Sequence, residues 1–279
     1  MSADQSQVAA LRPAAGAFDA IAGIFDARFA PWQSVAAQRR AMRRSLTQNF
    51  APHSHILELG GGTGDDAAWL AAQGHDVVLT DASPAMVGMA REKLAPLGAS
   101  AEVVAAEDLE HFALRHFETG GKRFDGAFSN FAPLNCVEDL KPVGRGLARL
   151  LHPGAAAMLM LFGTFCPGEF LTETIRGRPR AALRRLKRGP APARLAKREF
   201  TVVYHRRADL VHALAPWFVL EQVLGVGVFV PPSAAEPWIS GHPHLLSVLE
   251  RLDGLAAGVL APLGDHVLYR FRRTDIPAP

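Results

Sequence analysis

The middle of the chain alternates between two hydrophobic periods. Ile56, Leu57 and Leu59 form a short apolar run, as a buried strand does. Ala67, Ala68, Leu70 and Ala71 then take helical spacing, and Gly74 marks the helix end. Residues 76–80 (Asp-Val-Val-Leu-Thr) predict a second strand running into Asp81. Ser83-Pro84 opens a helix whose apolar face carries Met86, Met89, Ala90 and Leu94. Strands are predicted at 101–104, 124–131 and 155–162, with a helix over 137–151 between the last two. Regular alternation of strand and helix from 53 to 162 predicts a doubly wound, mostly parallel sheet.

The flanks are patterned differently. Phe18, Ile21, Phe25, Phe29 and Trp32 recur at three and four residues, the mark of an amphipathic helix that Pro31 interrupts. A second helix is predicted from Gln33 to Gln48, and residues 1 to about 15 are expected to fray. After Phe162, strands are predicted at 200–205, 218–223 and 267–271, and helices at 208–214 and 245–257. The segment from Phe229 to about 264 reads as a helical cap inserted before the last strand.

Composition narrows the class. A chain of 279 residues, 49% hydrophobic and 20% charged, can bury a substantial core. It lacks an apolar run long enough to span a membrane, and residues 1–8 do not have the layout of a signal peptide. Cys136 and Cys166 stand apart from any metal or redox spacing, so no metal site is expected and the cytoplasm is the default location. The net charge of +3 is small but uneven: ten Lys or Arg lie between Arg176 and Arg198, with no acid among them. A solvated helical insert and a surface for acidic polymers are both open readings of that stretch. It has no aromatic residue for base stacking, so nucleic acid is not the expected partner.

The chemistry begins where the first strand ends. Glu58, Gly60, Gly62 and Gly64 spell E-x-G-x-G-x-G, with Gly61 and Thr63 between. Glycine lets a ligand approach the backbone closely. A dinucleotide fingerprint would place its third glycine where this chain has Asp65, beside a pyrophosphate that the carboxylate would repel. The E-x-G-x-G-x-G pattern resembles motif I of the class I S-adenosylmethionine (SAM)-dependent methyltransferases, whose cofactor has no phosphate. Asp81, at the C-terminal end of the second strand, is placed to accept both ribose hydroxyls of a nucleoside.

The resemblance extends along residues 53–162. It implies a seven-stranded α/β sheet with an antiparallel edge strand, SAM as cofactor, and methyl transfer. It divides the chain into an N-terminal helical lid (1–52), a SAM-binding core (53–162), and a remainder (163–279) holding the basic insert (about 170–200) and the cap (about 229–264). It implies that Ala82 sits beside the ribose site and that Ala106, Glu107 or Asp108 reads adenine, since the family's usual aspartate is Ala105 here. It also implies that Ser129, Asn130 and Phe131 flank the methionine part. The lid's common Tyr-Asp pair is Phe25-Asp26 in this chain. The Asn130-Phe131-Ala132-Pro133 sequence departs from the motif of amino-methylating DNA enzymes.

The acceptor is less legible. Phe18, Phe25, Phe29 and Trp32 at one end, and Phe229, Pro231 and Trp238 at the other, predict an acceptor pocket for a small aromatic or apolar metabolite. Oxygen is favoured over nitrogen or carbon as the nucleophile, because histidines near 242–266 could take a proton. His242, His266, Glu169 and Tyr204 are the candidate catalytic groups, with His111 and His205 behind them. Two alternatives stay open: a nucleic-acid or protein methyltransferase using residues 176–198, and a SAM-binding protein without turnover. Oligomeric state is not specified by the sequence.

Overall fold

The structure, a computed structural model, describes residues 11–279. The expected fraying of residues 1–10 lies outside the described residues. Helices α1 (Pro13–Asp19), α2 (Ala22–Phe29) and α3 (Gln33–Asn49) come first. The alternating core follows as β1 (His55–Leu59), α4 (Asp65–Ala71), β2 (Asp76–Asp81), α5 (Pro84–Leu94), β3 (Ser100–Val103), α6 (Leu109–Glu118), β4 (Phe124–Ser129), α7 (Lys141–Leu150) and β5 (Leu151–Phe162). Beyond it lie α8 (Pro167–Ile175), α9 (Pro179–Ala182), β6 (Pro190–Leu195), β7 (Arg198–Val203), α10 (Arg207–Leu214), β8 (Phe218–Val226), α11 (Pro243–Ala256) and β9 (His266–Arg273).

Seven strands form one sheet in the order β3-β2-β1-β4-β5-β9-β8. The first five run parallel, and β9 runs antiparallel to both β5 and β8. Successive side chains of β1 alternate between the two faces, as strand geometry requires. Leu57 and Leu59 join the apolar layer under α6, α7 and α10, whereas Ile56 joins the layer under α3, α4 and α5. Both faces are covered, so β1 reads as a continuous apolar run broken only by Glu58. Strand order reverses between β1 and β4, and a crevice opens outside the carboxyl ends of strands at such a point.

The structure differs from the sequence pattern in three places. The 17–32 periodicity is split into α1 and α2 by a turn at Ala20-Ile21, and α1 already begins at Pro13. Most of the basic stretch is not helical. After α8 and the four-residue α9 it becomes the antiparallel hairpin β6–β7, a separate two-stranded sheet. The hairpin turns through Ala196 and Lys197, both at positive φ, a two-residue connection that suits the right-handed twist of strands. The third difference concerns residues 229–264. They pack on α3, through the Ser34 amide to Glu236 Oε1 at 2.9 Å, the Gln33 amide to the Ser240 hydroxyl at 3.1 Å, and an Arg40–Glu250 ion pair.

Candidate active site

The glycine turn after β1 bends back under the end of β2. The Gly60 and Gly61 amides both donate to the Thr80 carbonyl, at 2.7 and 3.2 Å. Gly60, Gly62 and Gly64 all have positive φ, a region open to glycine at no steric cost. Their surroundings separate their roles. A Cβ on Gly62 would meet nothing within 4 Å, because Gly62 faces an open cavity. A Cβ on Gly60 would lie 2.4 Å from Pro133, and one on Gly61 would lie 2.5 Å from Leu79 and 2.8 Å from Glu58. A Cβ on Gly64 would stand 3.2 Å from Ala90 on α5. Gly60 and Gly62 line the cavity, whereas Gly61 and Gly64 allow the turn to pack against β2 and α5.

A charged layer lies beneath the turn. Asp66 accepts from Arg43 Nε at 2.8 Å and from Asn130 Nδ2 at 2.7 Å. Asp65 accepts from Arg39 Nη1 at 2.9 Å and pairs with Lys93. Both acids stand in the first turn of α4, where the helix dipole favours them. Glu58 is enclosed behind Gly61 and does not reach the cavity wall; its Oε2 has no partner. Burial, reinforced by Asp66, pushes its carboxyl well above the usual range, and Arg39 opposes that rise. Ser129 is likewise a structural residue: its hydroxyl donates to the Leu59 carbonyl at 3.1 Å, tying β4 to β1.

Asp81 is on the cavity wall. Its Oδ2 accepts from the Gly62 amide at 2.9 Å and its Oδ1 from the Ser83 amide at 2.8 Å. A carboxylate offers about four acceptor sites, so each oxygen keeps one for a ligand hydroxyl. Burial raises the Asp81 pKa, and hydrogen bonds from the Ser83, Gly62 and Ala82 amides oppose it. Ala82, Ala106, Glu107, Asn130 and Phe131 also line the cavity. Asp108 does not; it is held outside by Arg12, whose Nη1 and Nη2 donate to it at 2.9 and 3.0 Å. Phe131 and Ala132 have positive φ, a strained geometry for residues with side chains, at the end of β4 beside the glycine turn.

The N-terminal helices are anchored over this end by two aspartates. Asp19, closing α1, accepts at one oxygen from the Ser83 hydroxyl at 2.9 Å and the Ala85 amide at 2.8 Å. Asp26, on α2, accepts from the Thr63 hydroxyl at 2.5 Å and from Lys93 Nζ at 3.0 Å. Arg12, Phe18 and Phe25 thereby become part of the cavity wall. Phe29 and Trp32 meet edge to face beyond it, 4.9 Å between ring centroids.

The cavity measures about 730 Å³. Away from the glycine turn it is closed by the β6–β7 hairpin through Ala193, Phe200, Thr201 and Val202. Phe200 meets Phe18 at 6.2 Å between ring centroids, so α1 and the hairpin touch. Phe162, Cys136, Arg184 and Tyr204 complete this apolar end. Burial pushes the Cys136 thiol up to about 12, with Glu107 and Asp81 adding to the rise, so it stays protonated at neutral pH. Burial also raises the Tyr204 phenol, although Arg184 and Arg185 oppose this. The sequence pattern shows the second strand of the hairpin but not its pairing with Pro190–Leu195, because Ala196-Lys197 is not a familiar turn dipeptide.

The candidate catalytic groups separate accordingly. Tyr204 lines the cavity. His242 lies on the outside of the molecule, its Nδ1 2.8 Å from the Trp238 carbonyl oxygen, remote from the site. Glu169 and His266 belong to a buried ionic cluster. Arg185 donates through Nε to Glu169 at 2.9 Å and through Nη2 to Asp265 at 2.6 Å, and His266 Nδ1 is 3.4 Å from Asp265. Burial alone would raise the Asp265 pKa, but His266 and Arg185 hold it far below the usual range. His205 is buried with Nε2 2.8 Å from the Val137 carbonyl oxygen, and His111 is exposed on α6. Among the described residues, no His, Cys, Asp and Glu cluster could hold a metal ion.

The open space at Gly62 and the remaining lone pairs of Asp81 fit a nucleoside with free ribose hydroxyls. Comparisons with known proteins agree with that geometry. Residues 56–154 match the methyltransferase domain family. No curated protein matches the sequence significantly. Among solved structures, the DhpI complex with S-adenosylhomocysteine (SAH) is 16% identical, covering 94% of this chain and 96% of its own, with a TM-score of 0.55. A 1,6-didemethyltoxoflavin-N1-methyltransferase from Burkholderia thailandensis, bound to 1,6-didemethyltoxoflavin and SAH, is 19% identical over 94% of this chain and 88% of its own (TM-score 0.52). A SAM-dependent methyltransferase from Methanosarcina mazei is 18% identical over 82% of this chain and 96% of its own (TM-score 0.52).

Fold and glycine turn together define the class I, Rossmann-like architecture. Residues 56–154 carry a methyltransferase domain of that architecture.

Proposed function

We propose that the chain transfers the methyl group of SAM to a small, largely apolar acceptor enclosed between the lid and the β6–β7 hairpin. One observation supports this reading above others. The cavity that begins at Gly62 and Asp81 continues without a break to Phe162, Phe200 and Tyr204. A mostly apolar pocket with a few placed polar groups is the usual form of a small-molecule site. In this reading Asp81 takes the ribose hydroxyls, Gly62 admits the cofactor to the backbone, and Glu107 lies at the adenine end. Residues 1–52 act as the lid, residues 53–162 hold SAM, and the hairpin within 163–279 replaces the 229–264 segment as the wall of the acceptor chamber.

When bound, SAM supplies a methyl group already activated by its sulfonium. The protein's own contribution is then alignment and exclusion of water. Phe18, Phe25, Phe131 and Phe200 exclude water, and Arg184 and Tyr204 offer polar contacts to orient an acceptor. No protein base is assigned. Tyr204 holds its proton, and the histidines that favoured oxygen as nucleophile lie outside the chamber. An acceptor that needs no assisted deprotonation, such as a ring nitrogen or an already ionised oxygen, suits these residues best. The Burkholderia protein of the same fold is named for N1 methylation of such a heterocycle.

The rival reading, methylation of a polymer by residues 176–198, has less support. Arg184 and Arg185 are paired with Glu169, and Arg176 and Arg178 with Glu173. The test is a panel of small heteroaromatic and phenolic acceptors, tRNA and peptides incubated with methyl-labelled SAM. Labelled product from a small acceptor, diminished by Phe200→Ala, is expected. Product from tRNA or peptide alone would overturn the proposal.

A further inference from the structure

A second cavity, of about 540 Å³, lies on the opposite side of the wall formed by residues 184–186 and 204–207. Its walls include Val223, Val259 and Val267, and Tyr269 from β9 stands within it. Arg206 and Arg207 line it from the start of α10. Nothing in the methyltransferase reading uses this space.

The polar groups there are unspent. Arg206 and Arg207 are exposed, and among the described residues no carboxylate pairs with either. The nearby Asp209 is occupied in accepting from the Arg206 backbone amide at 2.7 Å. Arg185 also borders the cavity, but Glu169 and Asp265 neutralise it. The Tyr269 ring is largely buried, and its hydroxyl is open to the cavity with no hydrogen bond among the described residues. Burial pushes the Tyr269 phenol up to about 12, while Arg207 opposes the rise, so at neutral pH it is a donor. Two guanidinium forks at the mouth, a phenol donor inside and valine walls form a site of one chemical kind. Guanidinium binds carboxylate or phosphate oxygens in bidentate fashion.

We infer that this second cavity binds a small amphipathic oxyanion, with its acid group on Arg206, Arg207 and the Tyr269 hydroxyl, and its apolar body against Val223, Val259 and Val267. A carboxylate and a phosphate monoester both present such oxygens to the guanidinium groups, and the titration below distinguishes them.

The chain has two tyrosines, one in each cavity, so tyrosine labelled at the phenolic carbon reports both sites separately by NMR. Tyr204→Phe assigns the two signals. Octanoate and octyl phosphate are titrated into the full chain, with octanol and inorganic phosphate as controls. Either amphiphile should shift the Tyr269 signal saturably and leave Tyr204 unmoved, and the stronger of the two identifies the acid. The Arg206→Ala/Arg207→Ala double variant should bind at least about tenfold more weakly, as loss of charge-assisted hydrogen bonds predicts. Its response of Tyr204 to SAH should be unchanged, which shows that the fold survives. An unmoved Tyr269 signal at millimolar amphiphile overturns the inference. An equal response to octanol or to inorganic phosphate does so as well.

Discussion

The Thr63 hydroxyl donates to Asp26 at 2.5 Å, which joins the glycine turn directly to α2. The same carboxylate accepts from Lys93 on α5. One side chain thus holds α2 to both elements that border the Gly62–Asp81 end of the cavity.

Asp26→Ala should therefore weaken SAH binding by about tenfold without unfolding the core, since a hydrogen bond to a charged group contributes about 1.5–3 kcal/mol. Limited proteolysis should cut the variant first within residues 11–32. Unchanged affinity would mean that the lid contributes nothing to holding the cofactor.

Neighbouring glycines should fail in different ways. Gly62→Val adds atoms only to the cavity, so SAH binding should be lost while thermal stability falls modestly through the strained φ. Gly61→Ala drives a Cβ into Leu79 and Glu58, so stability should fall first, by about 1–3 kcal/mol. Calorimetric affinity and melting temperature, measured on both variants, separate the two outcomes. A Gly62→Val protein that still binds SAH would remove Gly62 from the site.

Glu58 makes stability depend on pH. Its folded pKa lies well above the unfolded value of about 4.3, so the folded state keeps a proton that the unfolded chain releases. Its contribution is full below that value and declines as pH rises toward the folded pKa. Glu58→Gln should remove this decline. Melting temperatures of the two proteins from pH 5 to neutral test the prediction, and parallel curves would contradict it.

The Arg185 cluster should prove structural. Arg185→Met removes the buried cation that Glu169 and Asp265 share, leaving only Arg184 and His266 beside them, at a cost of about 3–5 kcal/mol. A large drop in melting temperature is expected. Unchanged stability with turnover abolished would instead place Glu169 or His266 in the chemistry.

The core was readable because its signals are local. The β1 run, the turn glycines and Asp81 sit within 26 residues of one another, and strand-helix alternation dictates their positions in space. The apolar end of the cavity was not readable for the opposite reason. Phe200 reaches Phe18 across 182 residues through a hairpin whose Ala196-Lys197 turn has no characteristic residue. Asp19 and Asp26 look like ordinary solvated acids until α1 and α2 are docked. Ser129 and Asp108 lie at motif positions, yet a backbone carbonyl and Arg12 engage their side chains. The 229–264 segment has the composition of a cap, but its polar groups pair with α3 and its course follows those pairs.

The central claim is that the Gly62–Asp81 end of the cavity holds the cofactor. Calorimetric titration of SAH into the wild-type chain and into Asp81→Ala tests it most directly. Each lost charge-assisted hydrogen bond contributes about 1.5–3 kcal/mol. The wild-type protein should bind one equivalent, and the variant should bind at least about tenfold more weakly while remaining folded. Equal affinity for the two proteins, or no binding to the wild-type chain at millimolar SAH, would contradict the account.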